Sequence, residues 1–158
     1  MTTITTRTKL RKLLIGTIAA AAAVVPLAVS TVPAHAATSS GCTVTPSKPF
    51  FDGFNTSGVK QVRYRVTIKC DANRTVTVLQ RHYEDDRAPD SDDYLGATVF
   101  VRNFGGSGTK TASTLVSLRN TEAGNEEVYQ RVRFQVTSNG VTSPWTGWQN
   151  SPILSILN

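Results

Sequence analysis

Six carboxylates fall within ten residues, at Glu84, Asp85, Asp86, Asp90, Asp92 and Asp93, with Arg87 the one cation among them. Carboxylates at such spacing supply the oxygen ligands that calcium takes, and extracellular modules bind that ion weakly. Asp90, Asp92 and Asp93 are the candidate ligands. The segment does not follow the EF-hand loop, because Tyr94 stands where a third ligand belongs, Leu95 where the turn glycine belongs and Val101 where the bidentate glutamate belongs. Without a metal it reads as a solvated loop between two strands, or as an acidic docking face for a basic partner.

Other chemistries find less support. His82 is the one histidine beyond residue 36, and no Gly-x-Ser-x-Gly elbow accompanies it. Its neighbours Glu84 and Asp86 are expected to raise its pKa at an exposed strand end. Residues 105–111 begin like a phosphate loop, but Lys110 follows Thr109 instead of the second glycine. A glycosidase pair could be drawn from so many acids, yet the domain is small for a substrate cleft. We therefore expect no enzyme, and no cofactor other than the calcium. Cys42 and Cys70 are too few, with one histidine, for a zinc site. In an oxidising compartment they are expected to form one disulfide, worth about 3.6 kcal/mol in the chain-entropy model.

The compartment follows from the first 36 residues. Arg7, Lys9, Arg11 and Lys12 precede an apolar run over 13–29, and Ala34, His35 and Ala36 follow it. A basic region, an apolar stretch and a small-x-small site are the parts of a secretory signal peptide. Cleavage after Ala36 leaves 122 residues carrying +2 of the formal +6. That balance is too small for a nucleic-acid footprint, and no second apolar stretch is long enough to cross a bilayer. The expected division is a signal peptide over 1–36 and one secreted domain over 37–158. An alternative address comes from Ser40, Gly41 and Cys42, which match the end of a lipobox and would place a lipid on Cys42.

Hydrophobic periodicity beyond residue 36 is two almost throughout. Val62, Tyr64, Val66, Ile68 and Cys70 alternate with Arg63, Arg65, Thr67 and Lys69, so one face is apolar and the other charged. Similar reasoning predicts strands over 75–83, 95–104, 110–118 and 128–137, with short ones over 43–45 and 153–157. In the fifth long pattern Val128, Val132, Phe134 and Val136 point inward, and Arg131, Arg133 and Gln135 outward. Residues 38–41 read as a frayed terminus. About seven strands without a helix argue an all-β antiparallel sandwich.

Tyr129-Gln-Arg131-Val-Arg133-Phe134, Asn139-Gly140 and Ser143-Pro144-Trp145-Thr146-Gly147-Trp148 form a consecutive pattern. It resembles the F strand, FG turn and Trp-Ser-x-Trp-Ser box of fibronectin type III domains, the immunoglobulin-like sandwiches found in cytokine receptors. The resemblance implies that Arg131 and Arg133 stack on Trp145 and Trp148, since a guanidinium over an indole gains about 0.5 to 2 kcal/mol. Thr146 and Gln149 replace the serines of the box, and Tyr129 falls on the outward parity. Such a ladder either stiffens the sheet or anchors a partner, Trp and Arg being the residue types that dominate interface hot spots.

The combined expectation is a secreted, non-catalytic binding module. Its partner would be an extracellular protein or polysaccharide, not nucleic acid, met through Arg131, Arg133, Trp145 and Trp148 or through loops at one end. The alternative is an inhibitor of an exogenous protease or glycosidase, presenting a rigid loop over 87–90.

Overall fold

The computed structural model describes residues 35–86, 92–118 and 125–157. Among these residues the chain is all β, with antiparallel pairing throughout and no helix. The strands are β1 (Ala37–Ser39), β2 (Cys42–Pro46), β3 (Phe50–Phe54), β4 (Lys60–Cys70), β5 (Arg74–Glu84), β6 (Asp93–Phe104), β7 (Gly108–Leu118), β8 (Glu126–Ser138), β9 (Val141–Thr142), β10 (Gln149–Asn150) and β11 (Leu154–Ile156). The alternating stretches of the sequence all become strands, because a half-buried pleated surface suits a period of two.

Two segments differ from expectation. Residues 38–41 are not frayed: β1 pairs with β2 across the turn at Ser40 and Gly41, whose φ angles of 48° and 75° suit a type I′ hairpin. The segment β3 escapes periodicity because its three phenylalanines do not alternate. It forms by pairing with β4, where Phe50 lies opposite Arg63. Eleven strands among the described residues thus replace the seven expected.

In the first sheet β7 covers one edge of β4, while β2 and then β3 run in line along the other. In the second sheet β5 lies between β6 and β8, and β9, β10 and β11 follow one another along the far edge of β8. The sheets share a core. Val44, Val66, Ile68 and Ala112 of the first pack with Val76, Val78, Phe104, Val132, Phe134 and Val136 of the second. Each large aliphatic or aromatic side chain so buried contributes roughly 1.5–3 kcal/mol. A second cluster of Val62, Tyr64, Leu118, Val128 and Ile156 lies farther along the strands.

A polar layer separates the two clusters. Gln80 and Gln130, both fully buried, share a hydrogen bond of 2.5 Å from Gln80 Nε2 to Gln130 Oε1. Thr114 donates to Gln80 Oε1, and Gln130 Nε2 donates to the carbonyls of Ser47 and Arg65. These bonds link both sheets and offset the cost of burying the two amides. The same inward parity carries His82, Glu84 and Glu126 into the interior. His82 is therefore not at an exposed strand end. Burial pushes its pKa down to about 4, and a hydrogen bond with the Gly96 backbone offsets this only in part. The expectation of a raised pKa is overturned, because desolvation disfavours the charged ring more than the Gly96 bond favours it.

Cys42 and Cys70 are directly opposed on β2 and β4 and form a disulfide, with Cα atoms 4.1 Å apart. The bridge occupies the thiol that lipidation would need. Lipid anchorage at Cys42 would also make that residue the N-terminus and remove β1. The signal peptide expected over 1–36 lies outside the described residues apart from His35 and Ala36. No helix among the described residues is long and apolar enough to cross a membrane.

Candidate functional site

The chain beyond β8 explains how the tryptophans reach the arginines. Ser143, Thr146 and Ser151 each give their backbone N–H to a β8 carbonyl and accept the same residue's N–H on the side-chain hydroxyl. The partners are Val136, Phe134 and Gln130, all at 2.8–3.0 Å. Hydroxyls thus stand in for carbonyls that an irregular strand cannot present. Pro144 has no N–H to donate. The tethers return 143–151 along β8 136–130 with surplus residues on the outer strand. The surplus carries Trp145 and Trp148 over the outer face of the second sheet. Thr146, one of the departures from the serine box, serves this purpose with its own hydroxyl.

On that face the cations and rings interleave. The Arg133 guanidinium carbon lies 4.9 Å from the Trp145 ring centre and 4.8 Å from that of Trp148. Arg81 and Arg131 approach Trp148 at 4.8 and 5.7 Å. All four distances are within the roughly 6 Å over which the ring quadrupole attracts a cation. The structure therefore brings together the four residues expected from the sequence, Arg131, Arg133, Trp145 and Trp148. It adds Arg81, which sequence reasoning misses because only the pairing register places it opposite Arg131. Trp145 keeps 38% of its surface exposed and Trp148 is half-buried.

Pairing across β6, β5 and β8 arranges this face in rows. Val99, Leu79 and Arg133 form one row, Ala97, Arg81 and Arg131 the next, and Tyr94, Tyr83 and Tyr129 the third. Tyr83 stacks on Tyr129, with ring centres 5.3 Å apart, and meets Tyr94 at a tilt. Tyr129 is outward in parity, as expected, yet nearly buried beneath its neighbours. Its hydroxyl donates to Asp92. Burial, with the Asp92 bond second, holds the phenol well above its ordinary pKa. Burial also raises the Asp85 carboxyl, helped by Asp92 and Glu127.

Of the calcium candidates, Asp92 and Asp93 lie among the described residues. Asp90 lies outside the described residues, as does the 87–90 loop of the inhibitor reading. Asp92 is engaged by Tyr129, and Asp93 is the first residue of β6, paired with Glu84. Among the described residues no three His, Cys, Asp or Glu side chains converge to hold a metal ion.

No protein-family model matches the chain, and no curated protein matches it. Among solved structures, an X-ray structure of Northeast Structural Genomics Consortium target SoR45 is similar over 76% of this chain and 87% of its own. The identity there is 15% and the TM-score 0.35.

Proposed function

We propose that the chain is an exported, non-catalytic binding module of immunoglobulin-like or fibronectin type III-like form, which holds an extracellular ligand against the outer face of its second sheet. The observation that carries this reading is the arginine-tryptophan ladder itself, with Trp145 38% exposed on one side and Val99 and Val101 59% and 53% exposed on the other. Aromatic, apolar and guanidinium groups left open on one flat face are the residue types from which binding hot spots are made. Export is supported by the basic and apolar residues before Ala36. Cleavage there would make Ala37, the first residue of β1, the new N-terminus. A disulfide between adjacent strands also suits an oxidising compartment.

The test is retention on a panel of insoluble polysaccharides, comparing wild type with Trp145→Ala and using far-UV circular dichroism and a urea melt to verify the fold. We expect retention of the wild type and a loss of about tenfold in affinity for the variant, the effect of about 1.4 kcal/mol at one contact. No retention on any polymer, or retention that the substitution leaves unchanged, would remove the polymer form of the proposal.

A further inference from the structure

The ladder carries three guanidinium groups, and none of Arg81, Arg131 and Arg133 forms an ion pair with a described carboxylate. On the first sheet Arg63 binds Asp52 at 2.5 Å, while Arg65 stacks on the Phe50 ring without an ion pair among the described residues. Arg81 and Arg131 lie directly opposite one another in the register of β5 and β8, and both rest on the ring of Trp148. Like charges directly opposed across strands cost stability, a cost that shared stacking on Trp148 offsets and that a bound anion would remove. Stacking uses the flat faces of a guanidinium and leaves its N–H groups free in the plane, where they can grip a carboxylate with two parallel bonds. Arg131 spends Nε on Asn150 Oδ1 at 3.1 Å, and Arg133 Nε is buried with no partner.

We propose that this face binds a carboxylated polysaccharide. The Arg81 and Arg131 pair takes a ring carboxylate, and Trp145, held by Arg133, stacks on the apolar C–H face of a neighbouring sugar. The inference rests on the reading of this face as the binding surface and adds the class of ligand. Two demands select that class. Cations without an ion pair among the described residues suit an anion, and the exposed indole suits a flat apolar surface beside it. Outward residues two apart on β8 are about 6.8 Å apart, so both demands recur at the scale of single sugar rings. A uronic acid polymer meets both on every unit, whereas an acidic peptide offers the anion on a flexible stem without the flat face.

The test measures binding of soluble polygalacturonate, its fully methyl-esterified form, poly-glutamate and single-stranded DNA. The proteins are wild type, Arg81→Gln, Arg131→Gln and Trp145→Ala, with far-UV circular dichroism and urea melts confirming that each folds. Wild type is expected to bind polygalacturonate at least about tenfold more tightly than the ester. Either arginine variant should lose that preference. Equal binding of acid and ester overturns the inference, as does equal or tighter binding of poly-glutamate or DNA, or a preference that survives in both arginine variants. If a neutral polymer binds and Trp145→Ala abolishes it, the binding face stands and the anionic ligand fails. If Trp145→Ala leaves polygalacturonate binding unchanged, the face itself is wrongly assigned.

Discussion

Acid should loosen the core at His82, and the size of the effect follows from its surroundings. The side chain is 1% exposed, its ring centre lies 4.5 Å from that of Tyr64, and Nε2 has no hydrogen-bond partner. Protonation would place a charge among those groups, which is why its pKa falls from 6.5 to about 4. The unfolded chain then binds the proton near 6.5 and the folded chain near 4. At about 1.4 kcal/mol per pH unit this gap is worth about 3 kcal/mol. Between those values the unfolded state holds the extra proton, so stability rises with pH. The contribution is complete above the unfolded value, shrinks as pH falls, and is gone below the folded value. Urea denaturation across this window should compare wild type with His82→Gln, which cannot titrate at that position. Carboxylate titrations common to both proteins cancel in the difference. The variant should gain about 3 kcal/mol relative to wild type between neutral pH and pH about 4. A difference that stays constant with pH would refute a neutral imidazole held in the core.

The buried amides give a second test, because Gln130→Ala would strand Gln80 and the carbonyls of Ser47 and Arg65. Urea titration should register a loss of about 3 kcal/mol from unsatisfied groups and the cavity. Reduction of Cys42–Cys70, which closes a sequence separation of 28, should lower stability by about 3.6 kcal/mol in the chain-entropy model. Thermal melts with and without reductant measure that. Trp148→Ala removes the ring that Arg81, Arg131 and Arg133 share. It should cost about 2 kcal/mol and flatten the near-UV dichroism, whereas a change confined to binding would show that the ladder does not support the sheet.

Much of the ladder is legible in the order of residues. Arg131 and Arg133 alternate with inward valines and Phe134, and the tryptophans follow within one turn and return. Arg81 is not legible there, because it is distant along the chain and becomes a neighbour of Arg131 only through the pairing of β5 with β8. The polar layer is hidden for a different reason. Gln80, His82 and Gln130 have the same parity as the core valines, but polarity alone suggests water. Their burial depends on partners from Ser47, Arg65, Thr114 and Gly96, which periodicity does not reveal. The hairpin at Ser40 and Gly41 is hidden because short polar residues read as a loose end until a pairing partner is known.

By itself the amino-acid order determined the long strands, their inward and outward faces and the two cysteines available to pair. Those properties depend on neighbours along the chain, where a period of two and the residue types suffice. Tertiary structure alone decided which outward faces adjoin, and so created a surface of two tryptophans on three arginines in which Arg81 faces Arg131. It also decided that His82 is neutral instead of charged. Both outcomes depend on groups brought together across strands, and the free energy of a charge is set by what surrounds it in space, not by what precedes it in sequence.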